Sequence, residues 1–295
     1  MRYILAIDRA GSFQKAAEAL GISQPALSVS IGRLEDVTRM RLVDRGRHGA
    51  ILNEAGRILA RHAESIEAVL LLAARELEIR RQGVEGPLHI GGTPLAAGSF
   101  VPLVIARLLN EITNPAIEVV EGTDEELLER LQKYQLDLMI SNVGHRPSPE
   151  GIEEIPLFTA RSVIFVRAGH PLGELDEVSL KELEQMTWII PPRGGAFRRQ
   201  IEALFTTNGI SFPVNVVEAS PFSVLKAIIE RSDGVSILSD EFLRDEIRRG
   251  LLKAIPLKEH VAPRQFALQK LAGRRLNSLG QRFVEISVEL AAKEL

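Results

Sequence analysis

Four short stretches place small polar or cationic residues directly after apolar, strand-like runs. They are "GGTPLAAG" with Thr93 and Pro94, "SNVG" with Ser141 and Asn142, "PPRGGAF" with Arg193, Gly194 and Gly195, and "EASPF" with Ser220 and Phe222. A hydroxyl, amide or guanidinium at the carboxyl end of a parallel strand, with a helix starting behind it, offers hydrogen-bond donors to a small anion or polar molecule. Each stretch taken alone also reads as an ordinary turn, because Gly, Ser and Pro are what turns use. Their shared position after strands points to one effector cleft, in which Arg193 pairs with a carboxylate and Phe222 covers an apolar body.

Other chemistries find little support. The chain has no cysteine, and its six histidines lack HxxxH or HxH spacing, so neither thiolate chemistry nor a metal site is expected. The phosphate-cradling GxxxxGK motif, the dinucleotide GxGxxG and the nucleophile GxSxG are all missing, so no catalysis and no cofactor are expected. An enzyme is the main rival from another class, and a solute-binding protein that delivers ligand to a transporter is the second. The opening "MRYILAIDRAGS" lacks a long apolar segment and no apolar run reaches membrane-spanning length, which makes the cytoplasm the expected compartment and a membrane no partner.

With 295 residues, 45% of them hydrophobic and 25% charged, two or three globular units are expected. Charge is uneven. Residues 1–60 carry nine Arg or Lys against six Asp or Glu, a net +3, leaving −6 for the rest of a chain whose total is −3. Only the first segment suits a polyanion.

The elements that position a polyanion reader follow in order. Ser12 predicts the cap of a helix through Leu20, with Phe13, Ala16, Ala17 and Leu20 on one face. Gly21 ends it, and Ser23 caps a second helix that tolerates Pro25 in its first turn. On that helix Leu27, Ile31 and Leu34 form an apolar arc, while Pro25, Val29 and Arg33 point roughly opposite and Gln24 and Ser28 lie on the flank. This is the helix-turn-helix plan, with the second helix for the DNA major groove, although an ordinary helical hairpin has the same pattern. "RLVDRGRHGAILNEAG" then reads as a strand, a basic turn with Arg45, Arg47 and His48, and a returning strand, which together make a wing, although a basic hairpin is also a common solvated feature.

From Asn53 a helical pattern runs unbroken to about Arg81, roughly 40 Å at 1.5 Å per residue. Leu59, Ala63, Ile66, Leu70, Ala73 and Leu77 lie along it as a heptad seam, which one helix packed on its own domain would also show but whose regularity favours pairing of two chains. "QGVEGP" breaks the helix. Strands and helices alternate from Leu88 onward, predicting parallel strands in two α/β lobes, with helices expected over "SLKELEQM" and "FRRQIEALFTTNG" among others.

"FQKAAEALGISQPALSVSIGRLE" followed by "RLVDRGRHGAILNEAG" resembles the LysR-type transcriptional regulators, and "LDLMIS", "VRAGHPL" and "GVSILSDEFLRDEIRRGLL" resemble their effector domain. By the family's pattern the chain opens several residues late, at "RYILAI", and carries Val29 where Arg or Lys is common. The resemblance implies an α+β multidomain fold. Residues 1–53 would form the winged helix-turn-helix, 54–82 the dimerisation helix, 83–87 a hinge and 88–295 an effector domain like the periplasmic solute-binding proteins. Lobe one would take 88–160 and 266–295, lobe two 161–265. It also implies a sequence-specific regulator rather than an enzyme, binding double-stranded DNA at an inverted-repeat promoter site through Ser23, Gln24, Pro25, Ser28, Val29, Arg33, Arg45 and Arg47. A homodimer or homotetramer, RNA polymerase as a further partner, and a small polar or anionic metabolite between the lobes complete the expectation.

Overall fold

Local signals start and stop the helices of the N-terminal unit. A computed structural model describes residues 1–46, 49–81, 85–144 and 147–294, which fall into two units, Met1–Leu77 and Glu78–Leu295. The first contains α1 (Arg2–Ala10), α2 (Phe13–Leu20), α3 (Gln24–Thr38), the strands β1 (Val43–Gly46) and β2 (Gly49–Leu52), and most of α4 (Glu54–Arg81). Ser12 Oγ accepts from Lys15 N and Ser23 Oγ from Ala26 N, while Gly21 closes α2 at φ 66°, a left-handed conformation cheap only for glycine. Ile4, Ile7, Phe13, Ala16, Leu27, Ile31, Leu42 and Leu52 form the core. Burying each larger aliphatic side chain contributes about 1.5–3 kcal/mol.

Two motifs earn their form by locking the loop before β1. Glu35 Oε1 accepts from Leu42 N at 2.8 Å. Asn53 caps α4 by accepting from Gly56 N at 2.9 Å and also donates to Arg41 O at 2.9 Å. A Cβ on Gly56 would lie 2.2 Å from Leu42 O, so "NEAG" needs glycine for close approach. β1 and β2 pair antiparallel, Val43 with Leu52 and Gly46 with Gly49.

The second unit runs β3 (Glu85–Gly92), α5 (Pro94–Gly98), α6 (Phe100–Glu111), β4 (Pro115–Glu121), α7 (Asp124–Gln132), β5 (Leu138–Val143), β6 (Ile152–Ala160) and β7 (Ser162–Arg167). It continues through β8 (Trp188–Ile190), α8 (Ala196–Thr207), β9 (Val216–Glu218), α9 (Phe222–Arg231), β10 (Ser236–Ser239), α10 (Arg244–Arg248), β11 (Leu252–Ile255), β12 (Arg264–Leu271) and α11 (Ser278–Glu294). One lobe holds a five-stranded sheet in the order β4-β3-β5-β12-β6. The other holds the sheet β10-β7-β11 and the pair β8-β9. The chain leaves the first lobe after Ala160 and returns at Arg264, which pairs with Ala160, so the two crossings run side by side.

Four expectations are corrected. The strands are not all parallel: β12 is antiparallel to β5 and β6, and β7 to β10 and β11, while β3, β4 and β5 are parallel, as are β8 and β9. The segment "SLKELEQM" is a run of turns, with bonds from Glu182 N to Ser179 O and Leu183 N to Leu180 O. Leu180 and Leu183 are buried there while Leu180 N is taken by Glu259, so side chains and distant acceptors outweigh helix propensity. Of the hinge read at 83–87, residues 83 and 84 lie outside the described residues. Glu85 to Pro87 belong to β3, because Glu85 N donates to Asn114 O and Pro87 O accepts from Asn277 Nδ2. Arg264 and Gln265, read as part of lobe two, pair instead with Ala160 and Thr159 of the first lobe's sheet.

Candidate functional site

On the N-terminal unit, α3 buries Leu27 and Ile31 and leaves Gln24, Pro25, Val29 and Arg33 exposed, with Ser28 half-buried. Exposed side chains on an otherwise anchored helix are what base edges require. Ser23 is exposed too, but its oxygen caps the helix. Arg47 and His48 lie outside the described residues, as does the side chain of Arg45.

Along α4 the heptad seam divides. Leu59 packs on the unit's own core and Ala63 is 1% exposed within it, which corrects their assignment to a partner-facing seam. Both fall where α4 crosses the preceding helices, so the core claims them first. Beyond that point Ile66, Leu70, Ala73 and Leu77 are exposed, as are Val69 and Leu71.

In the second unit the strand ends converge on a cavity of about 350 Å³ lined from both lobes. Thr93, Pro94 and Asp124 come from one side, and Arg193, Gly195, Phe197, Ser220 and Phe222 from the other. Thr93 is buried, and its hydroxyl has no hydrogen-bond partner among the described residues. The first turn of α8 behind Gly195 has no side-chain cap, and neither does that of α9, so their amides remain available. At α7 two amides are taken: Thr123 N and Glu126 N are held in a reciprocal capping box, and the bonds from Thr123 hold the Glu126 carboxyl below its usual pKa. Arg193 reaches the wall with a side chain 82% exposed, and its Nε stands 3.9 Å from Glu218.

Three predicted residues lie outside this cavity. Ser141 faces the opposite side of the sheet from Asn142 and donates to Gln269 Oε1 at 2.9 Å. Gly194 is outside the lining, with its carbonyl accepting from Arg199 Nη1 at 2.6 Å. Asn142 opens onto a second cavity of about 520 Å³, which shares Phe197 and Arg264 with the first. Neither amide atom of Asn142 has a partner among the described residues.

Sequence reasoning missed Arg264, a residue common to both cavities. It is 6% exposed, with Phe197 4.2 Å and Phe266 5.0 Å from its guanidinium carbon. Burial lowers its pKa to about 10, against an opposing effect of Asp124, and it stays protonated at neutral pH. It follows no Gly-rich turn; the available signal was a lone arginine opening the apolar strand "RQFAL". Among the described residues there is no cluster able to hold a metal ion, and no helix long and apolar enough to cross a membrane.

A winged helix-turn-helix and a two-lobed α/β unit with a lined cavity define a DNA-binding regulator with an effector-binding domain. Residues 1–57 match the bacterial regulatory helix-turn-helix of the lysR family, and residues 81–292 match the LysR substrate binding domain. The uncharacterized HTH-type transcriptional regulator YdcI of Escherichia coli K12 is 28% identical over 259 residues, covering 88% of this chain and 84% of the relative. Full-length CbnR complexed with its target DNA is similar in fold, with TM-score 0.60, 20% identity and 98% of each chain covered. The effector-binding domain of QuiR in complex with shikimate has TM-score 0.58 at 18% identity, over 72% of this chain and 99% of that domain. The chain belongs to the LysR family of DNA-binding transcriptional regulators, and it is not an enzyme.

Proposed function

We propose that the chain is a cytoplasmic regulator that binds an inverted-repeat promoter site as a dimer or tetramer and responds to a small polar or anionic metabolite held between the lobes of its second unit. The observation that carries the effector site is the cavity lined from both lobes, in which the buried Thr93 hydroxyl lacks a partner. Thr93 and Pro94 would face the metabolite from one lobe, and Arg193, Gly195, Ser220 and Phe222 from the other, with Asn142 reaching it from the adjoining cavity. Ser23, Gln24, Pro25, Ser28, Val29, Arg33, Arg45 and Arg47 would meet DNA, and exposed Ile66, Leu70, Ala73 and Leu77 would pair two chains.

A metabolite that prefers one arrangement of the lobes shifts the protein toward it, and paired chains would transmit that shift to their DNA units and to RNA polymerase. The test is a screen of metabolites from neighbouring genes against binding to the chain's own promoter fragment, followed by calorimetry. Thr93→Val is expected to weaken the active metabolite by about 1–3 kcal/mol, because a buried polar group of the ligand loses its donor. DNA affinity without metabolite is expected to stay the same. Equal metabolite affinity in wild type and variant overturns the cleft assignment.

A further inference from the structure

We propose that Arg264 is the charge seat of this cleft, and that the effector is a monocarboxylate with an apolar body whose carboxylate docks on the guanidinium. The inference rests on the cleft reading above and adds the ligand's chemical class. Its starting point is a contrast between two buried arginines. Arg198 is 2% exposed and spends its donors on Glu202 at 2.9 Å, Glu218 at 3.0 Å and the Pro191 carbonyl at 2.9 Å. Arg264 is almost as buried, yet its Nε and Nη1 have no acceptor among the described residues. Native proteins leave few buried donors unsatisfied, and although the Asp124 charge favours the protonated guanidinium, it accepts from neither of these nitrogens, which is costly for a buried cation.

The surroundings of Arg264 define what would satisfy it. The rings of Phe197 and Phe266 favour the cation but supply no oxygen or nitrogen acceptor for its N–H groups. Asn142 pairs with Phe266 across β5 and β12, and Arg264 lies two residues before Phe266, so all three share one face of the sheet. The orphan amide of Asn142 and the orphan hydroxyl of Thr93 thus line the two cavities that meet at Arg264. A carboxylate presents two oxygens to such a set, and its bond to a guanidinium is charge-assisted.

The charge is limited to one by the same walls. Glu121, Asp124 and Glu126 line the first cavity beside Arg193, Arg198 and Arg264, so three carboxylates offset three guanidiniums and the walls hold no surplus positive charge for a dianion such as phosphate or a dicarboxylate. Phe222, Leu225 and Leu238 line it as well and suit an apolar body.

The experiment measures thermal melting of the full chain with sodium salts of aliphatic and aromatic monocarboxylates, from butyrate to phenylpropionate, each beside its primary amide, and with inorganic phosphate. At least one acid is expected to raise the melting temperature, with its amide weaker by about tenfold or more and phosphate without effect. Arg264→Gln is expected to abolish the preference for acid over amide. Ligand-free melting of each variant reports folding; should Arg264→Gln fail to fold, Arg264→Lys carries the test, retaining the acid preference at lower affinity. The proposal is overturned if no acid binds wild type, if acid and amide bind alike, if phosphate competes equally, or if the acid preference survives in Arg264→Gln or is lost in a folded Arg264→Lys. Thr93→Val separates the two readings. Acid binding that is lost there but unchanged in Arg264→Gln removes the seat and leaves the cleft, whereas binding unchanged in both removes the cleft as well.

Discussion

Ser141 and Asn142 are neighbours in β5 yet face opposite sides of the five-stranded sheet: Ser141 bonds to Gln269 at 2.9 Å, while Asn142 opens onto the cavity wall that Arg264 shares. Ser141→Ala removes a donor from a buried acceptor and is expected to destabilise the second unit by about 1–3 kcal/mol while leaving effector binding unchanged. Asn142→Leu is expected to do the reverse, sparing stability because neither amide atom has a partner to lose. Denaturant titration beside ligand binding distinguishes them, and equal behaviour of the two variants would remove this division of labour.

Gln24 stands exposed in the first turn of α3, held there by the Ser23 cap. Gln24→Ala is expected to cost about 1–3 kcal/mol on the cognate site and little on unrelated duplex, because an amide side chain reads base edges. Arg47→Ala is expected to weaken all duplexes alike and reduce the salt slope by about one unit, as a lost phosphate contact does. Mobility shifts over a salt series check both. Wild-type affinity of both variants would remove α3 and the wing as the DNA-reading elements.

Ile66 and Leu70 lie on the stretch of α4 that its own core leaves uncovered, Leu70 being 65% exposed. Replacing both with Glu is expected to break the oligomer and abolish cooperative binding to a fragment with two half-sites, since each charge would enter an apolar seam. Sedimentation provides the measurement. An unchanged oligomer moves the interface off α4.

Gly56 closes on Leu42 so tightly that an added Cβ would stand 2.2 Å from its carbonyl oxygen. No rotamer relieves contact with backbone, so Gly56→Ala is expected to destabilise the N-terminal unit by about 1–3 kcal/mol or more. Weakened DNA binding with intact effector binding is the expected pair of readouts. A variant that melts like wild type would show that the loop before β1 yields freely.

The helix boundaries of the N-terminal unit were legible because their causes are local. Ser12, Gly21, Ser23 and Asn53 act within one turn of their own positions, and the apolar spacing of Phe13 to Leu34 marks a face that any fold must bury. The turns carrying Thr93, Pro94, Arg193, Gly195, Ser220 and Phe222 were legible for a similar reason, since a strand followed by a small polar residue and a helix is a short-range pattern. Partners distant in sequence decided the rest. Whether Ser141 or Asn142 faces the cavity depends on the register of β5 against β12, more than a hundred residues away in sequence. Leu59 and Ala63 share the heptad spacing of Leu70 and Leu77, and only the crossing of α4 over its own core separates them. "SLKELEQM" carries helix-forming residues, but Glu259 and the packing of Leu180 hold it in turns. Arg264 reads in the sequence as one charged residue before an apolar strand. The pairing of the two crossings and the rings of Phe197 and Phe266 bury it at the junction of two cavities, because register, burial and long-range pairing are properties of the assembled fold.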